Sequence, residues 1–398
     1  MAARRRRPLP RDLIRSHIVS KFALAVAAAL LSESAALAGV QGIGFTVDPT
    51  PPPATISPHT GLLPVSTKQT LVIPAGSELC GIDSIFADGF EVATFIPIGQ
   101  SIGGIASPGL TQDITGTGSL SIAIASPANG ATTGESTVDV SGTFVGPVNT
   151  GIAVNGIAGY TTGGQFLIPN VPLVAGANAL NLTATILPGA TATNTVSITQ
   201  SGAPLPIVVA ASRPIGYAPF AENFNYIVGA LAGNATISSV VINFKGTGSN
   251  DYSGSLAGAP TSYTYQQPGL YTAQFQFTDS NNVVYAIKRS VLIQDFPAQR
   301  AMLCDVYGYL RDRLGAQDAA NAGKAFQPIV RSDFVSFFST LGTSMPSTAQ
   351  QLGSIVDGQL GFGFADLLLV RDNVDQTRSG FPVRLTLGTD GVWRISEM

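Results

Sequence analysis

The chain has 398 residues, 11% of them charged, and a formal net charge of −3. Soluble proteins average about 25% charged residues, so small and neutral polar side chains must supply this surface, as in many extracellular β-domains. The slightly acidic balance argues against nucleic acid or an anionic lipid surface as a partner.

Residues 1–38 read as an export signal. Arg4 to Arg7, Arg11, Arg15 and Lys21 give a positive start, Phe22 to Leu31 an apolar stretch, and Ala36-Leu37-Ala38 a small-residue cleavage site after Ala38. The apolar stretch is shorter than the about 20 residues that span a bilayer, and no membrane span is expected after its removal. The general secretory route is the default; Arg4-Arg5 also allows the twin-arginine route. The mature chain would keep 14 basic and 22 acidic residues, a formal charge of −8. It is expected in the periplasm, at the cell surface or outside the cell.

Residues 39–118 read as a Pro/Gly-rich spacer with short strands. Pro49 and Pro51 to Pro53 stiffen it. The stretch Ile85 to Glu91 resembles a short signature of secreted bacterial proteins. Asp83, Asp88 and Glu91 are candidate calcium ligands; a surface turn around Asp88-Gly89 is the simpler reading. The chain has two cysteines, Cys80 and Cys304. An oxidising compartment allows them to pair, closing a loop of more than 200 residues worth about 4–5 kcal/mol. Two separate thiols are the alternative.

Residues 119–202 carry period-two apolar runs: Leu120, Ile122 and Ile124; Val138 and Val140; Ile152 and Val154; Leu180 and Leu182; Val196 and Ile198. Turn signals such as Asn129-Gly130, Asn155-Gly156 and Gly163-Gly164 separate them. The spacing predicts a β-sandwich of about seven strands. The elements SPANGATTGESTVDVSGT, VNTGIAVNGIAG and GGQFLIPNVPLVAGANALNLTAT resemble bacterial immunoglobulin-like domains of the glucodextranase domain-B type. That resemblance implies an accessory module and brings no catalytic residues.

Residues 203–296 predict a second sandwich, with strands at 207–209, 226–228, 240–244, 263–265, 271–277 and 283–293. Pro268-Gly269-Leu270-Tyr271 followed by Thr278-Asp279 is similar to an element of PKD-type domains, another immunoglobulin-like fold. Asp279 to Asn282 reads as a hairpin loop.

Near Pro297 the apolar period becomes helical, with Met302, Leu303, Val306, Tyr307, Leu310 and Leu314 on one face. A second helix is expected over 316–326. A third, capped by Ser332 or Asp333, carries Phe334, Val335, Phe337, Phe338 and Leu341 and ends at Gly342. A short turn over 347–352 and four strands follow. Residues 297–398 therefore read as α+β, and the order resembles the cystatin-like family of nuclear transport factor two. The fold class expected is a mainly β multi-domain protein, two immunoglobulin-like sandwiches followed by an α+β domain of helices on a curved antiparallel sheet.

The chemistry available is narrow. Past residue 38 the only histidine is His59, in the spacer. A Ser-His-Asp triad needs a positioned imidazole, and zinc sites need several His or Cys. No phosphate-binding loop is present. Paired carboxylates are enough for glycoside hydrolysis, but Glu135 with Asp139, or Asp251 with Asp279, have no evident reason to converge. No catalytic residue, metal or cofactor is assigned. Tyr263 and Tyr265 share a sheet face and are candidate sugar platforms, with core packing as the alternative. Phe334, Phe338 and Trp393 are candidate linings of an apolar pocket in the C-terminal domain. The expected function is non-enzymatic: spacer, binding or adhesion modules facing an unidentified protein or glycan. The alternatives are a carbohydrate-binding accessory of a polysaccharide-degrading system and small-ligand binding in the C-terminal domain. The oligomeric state is not legible.

Overall fold

The computed structural model describes residues 114–116, 119–203, 205–372 and 378–398. Residues 1–113, which include the expected signal, most of the expected spacer, Cys80 and the Asp83–Glu91 stretch, lie outside the described residues. Two compact units are present. One runs to Met302 and includes Leu387–Trp393; the other holds Leu303–Thr386 and Arg394–Met398.

The first unit contains two immunoglobulin-like sandwiches. Sandwich one is built from β1 (Ser121–Ser126), β2 (Thr132–Thr133), β3 (Thr137–Val145), β4 (Gly151–Val154), β5 (Ile157–Ala158), β6 (Tyr160–Thr162), β7 (Gln165–Pro172), β8 (Gly176–Thr185) and β9 (Thr191–Gln200). One sheet is ordered β1-β3-β7-β6 and the other β2-β9-β8-β4-β5. Alternate residues point inward, so Ile122, Val140, Ile152, Val154, Leu180, Leu182, Val196 and Ile198 meet Phe166 and Ile168 in one core. The β4–β5 turn needs two left-handed residues, and Asn155 and Gly156 supply φ of 49° and 82°.

Sandwich two is built from β10 (Ile207–Ala211), β11 (Ile215–Tyr217), β12 (Phe220–Val228), β13 (Ile237–Asn243), β14 (Tyr252–Gly254), β15 (Ser262–Tyr265), β16 (Gly269–Asp279) and β17 (Val284–Gln294). Its sheets are β10-β12-β15 and β11-β17-β16-β13-β14. In β16, Ala273, Phe275 and Phe277 are buried while the glutamines between them are exposed. Phe275 packs at 5.1 Å from Phe224 and 5.9 Å from Phe244, centroid to centroid. The Asp279–Asn282 segment is the β16–β17 hairpin loop: Asp279 Oδ1 accepts the N–H groups of Asn281 and Val283 at 2.8 and 2.9 Å.

Both sandwiches split their opening strand. In sandwich one, β1 pairs antiparallel with β3, then β2 crosses to pair in parallel with β9. In sandwich two, β10 pairs antiparallel with β12, then β11 pairs in parallel with β17. Glu222 holds that second crossover. Its Oε1 accepts bonds from Ser212 N–H, Ser212 Oγ and Arg213 N–H at 2.6, 2.8 and 2.9 Å.

Four helices follow: α1 (Phe296–Gly315), α2 (Ala319–Ala322), α3 (Pro328–Leu341) and α4 (Met345–Gln351). They precede a sheet ordered β18 (Ser354–Gly361), β19 (Phe364–Asp372), β20 (Arg378–Leu387) and β21 (Trp393–Glu397). Asp295 starts α1 by accepting the Ala298 N–H at 3.0 Å. In the second unit, Leu303, Val306, Tyr307, Leu310 and Leu314 are buried, as their spacing predicts. Tyr307 donates to the Gly353 carbonyl at 2.7 Å.

Two helical expectations are corrected. The stretch 316–326 is not one helix: α2 is a single turn, capped by Asp318 and continued as the 3-10 turn Gly323–Ala325. The third helix starts earlier than Ser332 or Asp333. Pro328 at its first position fixes φ for the helix without losing a needed N–H, so Gln327 is the cap and Ser332 and Asp333 lie inside.

Phe275→Ala is expected to lower the stability of sandwich two by about 3–5 kcal/mol, because it leaves a cavity among three aromatic rings. Gln276→Ala should change it by less than about 0.5 kcal/mol. Chemical denaturation of both variants checks the contrast.

Candidate functional site

A cleft of about 310 Å³ lies in the first unit where the two sandwiches meet. Gly134, Glu135 and Ser136 of the β2–β3 connection, Thr137 and Asp139 of β3 and Asn170 of β7 line one side. Leu205, Val208 to Ala211, Pro214 and Arg289 line the other.

Local structure aims each polar group. Val138 and Val140 turn toward the core of sandwich one, so the alternation sends Thr137 and Asp139 to the opposite face. Opposite Asp139 the β3–β7 register shifts, from Val138↔Val171 to Val140↔Ile168. Asn170 takes φ 55° in that bulge, and its N–H donates to Asp139 Oδ1 at 3.0 Å.

Arg289 reaches the cleft from β17. Its Nη2 donates to Glu135 Oε1 at 2.5 Å, its Nε to the Val209 carbonyl and its Nη1 to the Lys288 carbonyl. Strand β10 is the outer strand of its sheet, so the guanidinium occupies an acceptor that a neighbouring strand would otherwise take. The Arg289 and Glu135 side chains are 14% and 25% exposed. Burial pushes the Asp139 carboxyl above its usual range. The Asn170 N–H and the Arg289 charge pull it down, the Glu135 charge raises it, and burial dominates.

The cleft thus offers carboxylate oxygens, a guanidinium and an apolar wall of Leu205, Val208 and Pro214. That combination suits hydrogen bonding to a small polar ligand. The expectation that Glu135 and Asp139 have no reason to converge is corrected: both line this cleft. Asp139 sits on β3, but Glu135 lies in the connection before it, so strand alternation gives no signal for their meeting. Arg289, 154 residues from Glu135, carried none. Asp251 and Asp279 are not brought together as a pair; Asp251 accepts the Phe244 N–H and Asp279 organises its hairpin loop.

Other candidate residues sit elsewhere. Tyr265 is 1% exposed, with its hydroxyl donating to the Phe244 carbonyl at 3.0 Å. It is a core residue, not a sugar platform, because the face it shares with Tyr263 is the inner one. Tyr263 is partly exposed, with one ring face stacked on Phe244 at 4.8 Å. Phe334 and Phe338 are buried against Phe326, at 3.8 and 5.9 Å between centroids. Phe337, next to Phe338, is only half-buried. Trp393 is not grouped with them. It belongs to the first unit, where Asn149 brackets its backbone, accepting from its N–H and donating to its carbonyl at 3.0 Å each. Asp366 and Arg384 form an exposed cross-strand ion pair. Cys304 is buried in α1 and disulfide-bonded; Cys80 lies outside the described residues.

No family model matches the chain, and no curated protein matches it. Among solved structures it is similar to the fibronectin(III)-like modules of Clostridium thermocellum CbhA, at 15% identity over 44% of this chain and 95% of that one, with a TM-score of 0.17. The Yersinia pseudotuberculosis adhesin InvE matches at 10% identity over 43% of this chain and 58% of that one, TM-score 0.16. SGBP-B of a Bacteroides ovatus mixed-linkage glucan utilization locus, solved with a mixed-linkage heptasaccharide, matches at 11% identity over 42% and 43%, TM-score 0.15. Likeness this distant carries no functional argument, and the immunoglobulin-like assignment rests on the sheets themselves. Among the described residues no helix is long and apolar enough to cross a membrane.

The raised Asp139 gives a signed expectation. The folded chain binds this proton more readily than the unfolded chain, so ionised Asp139 subtracts stability. The loss is absent below the usual carboxylate range and grows as pH rises through the raised value. Asp139→Asn keeps the acceptor for Asn170 and removes the charge. Thermal unfolding should show the variant above the parent at neutral pH, with the gap closing in acid. A variant less stable than the parent at pH 7 would contradict this account.

Proposed function

We propose that the chain is an exported, non-enzymatic surface or secreted protein whose immunoglobulin-like sandwiches act as spacer or as binding and adhesion modules. The observation that carries this reading is the junction between the sandwiches, which is bonded rather than a free linker. Gln165 Oε1 accepts the Leu270 N–H at 2.9 Å, Gln294 Nε2 donates to the Thr161 carbonyl at 3.3 Å, and Leu167, Ile215 and Leu292 bury together. A held tandem presents whatever it carries at a fixed spacing. We read 119–202 as a glucodextranase-type module, 203–296 as PKD-like and 297–398 as cystatin-like, behind a signal cleaved after Ala38. The disulfide-bonded state of Cys304 suits an oxidising compartment.

A second reading is favoured by the cleft: a carbohydrate ligand, its hydroxyls bonded by Glu135, Asp139 and Arg289 rather than stacked on Tyr263 and Tyr265. A glycan array with the exported chain separates the two. Binding lost in Glu135→Gln and Asp139→Asn supports the sugar reading; an empty array with retained adhesion to cells supports the first. Hydrolysis of any polysaccharide that either substitution abolishes would overturn both, since each is non-catalytic.

The export reading has its own checks. N-terminal sequencing of exported protein is expected to begin at Gly39. Unreduced peptide mapping is expected to recover Cys80 linked to Cys304. A free Cys80 in exported protein would reject that pairing.

A further inference from the structure

We propose that Glu135 and Arg289 form a releasable latch across the junction of the two sandwiches, with the Leu167, Ile215 and Leu292 cluster as its pivot. The contacts between the sandwiches fall into two chemically different groups. On the β6–β7 side they are apolar or neutral: the Leu167 cluster with Tyr160 and Leu270 packed on it, and the Gln165 and Gln294 bonds. At the cleft the side-chain contacts are charged: Glu135 pairs with Arg289, and the Asp139 carboxylate accepts from the Ser290 N–H and faces the same Arg289 charge. Between the two groups lies the long contact of Ser141 Oγ with Ser290 Oγ, at 3.5 Å.

Apolar burial is kept or strengthened by salts that are excluded from protein surface, whereas an accessible ion pair is weakened by salt and lost when one charge is removed. The two groups therefore fail under different conditions. Loss of the ion pair leaves the apolar side in place and holds the cleft side only by Asp139 on the Ser290 N–H, next to the pivot, so the outer part of the cleft opens. Arg289 is prepared for either state. Its Nε and Nη1 bonds go to carbonyls of its own sandwich, Val209 and Lys288, so it stays satisfied in part after Glu135 leaves. Among the described residues the Glu135 carboxylate bonds to Arg289 and to no group of its own sandwich, and the residue precedes β3 in a connection rather than sitting in the ladder. Opening is bounded by the connection between β9 and β10. Ser201 donates its N–H to the Thr133 carbonyl at 2.8 Å, and a side chain at Gly134 would meet the Ala203 carbonyl. The latch thus sets the width of the cleft without releasing the tandem.

The test is a distance measurement on the full chain by pulsed electron resonance. Spin labels are placed through unnatural amino acids at Val174 of sandwich one and Ile227 of sandwich two, both exposed, at 70% and 52%, leaving the cysteines untouched. The parent should give one narrow distribution. Glu135→Gln should add a second, broader population, and Arg289→Gln should give the same one. The double variant should match either single variant, because both remove one shared interaction. One molar salt should move the parent toward that population and leave Glu135→Gln unchanged. If Arg289→Gln fails to fold, Glu135→Gln decides alone, since it removes a charge and no backbone partner. An unchanged narrow distribution in a cooperatively folding Glu135→Gln variant overturns the latch, and so does a double variant that opens further than either single.

Discussion

Two long antiparallel hairpins organise the first unit, and their cross-strand pairing is the constraint that everything else follows. In β8–β9 the register runs unbroken from Gly176↔Gln200 to Thr185↔Thr191, and in β16–β17 from Gly269↔Ile293 to Thr278↔Val284. With a side-chain period of two, one such register commits a whole set of residues to one face. Leu180, Leu182, Val196 and Ile198 face inward together, and so do Ala273, Phe275 and Phe277. A slip of one residue would present polar side chains to the core. The shorter strands take their positions from these hairpins. The last residues of β17 turn Val291 and Ile293 into their own core and Leu292 and Gln294 toward Leu167 and Thr161, so the strand that closes sandwich two also sets its junction with sandwich one.

Much of this was legible in the sequence, for a definite physical reason. Apolar alternation marks strands that bury one face, and turn glycines and asparagines mark their ends. Val240 to Phe244 and Tyr271 to Phe277 are examples of both signals. What was not legible is equally specific. Strands β11 and β14 are three residues each, too short for a period to show. The stretch 316–326 contains good helix formers, but Asp318 caps a new turn and interrupts it. Ser332 and Asp333 resemble caps for α3, but Pro328 sets its first turn four residues before Ser332.

The site divides in the same way. Alternation shows that Tyr263 and Tyr265 share a face, but not whether that face is inside or outside; it is inside. Alternation places Asp139 on the outer face of sandwich one, while Glu135 reaches the same cleft from the connection before β3, which no spacing shows. What gives them a cleft is Arg289 and strand β10, brought there by tertiary contacts across the junction. A local pattern can name part of one wall of such a site and not the other. The burial that raises Asp139 is likewise a property of the junction, since Arg289 and the β10 wall supply much of what surrounds it.

The split opening strands have a mechanical meaning. In each sandwich a piece near the start of the fold, β2 or β11, lies in parallel beside the last strand, β9 or β17. Pull such a sandwich by its two ends, and these neighbours are dragged in opposite directions along their own axes. Their cross-strand bonds lie across the pull, so they carry the force side by side and must yield together. A hairpin opened from its ends surrenders its bonds singly. Tension applied between residues 121 and 294 therefore meets two shear-loaded patches in series, Ala131 to Thr133 against Ser197 to Ser201 and Pro214 to Tyr217 against Leu292 to Gln294. The same arrangement that closes each sheet gives the tandem resistance along the one direction in which a tether is stretched.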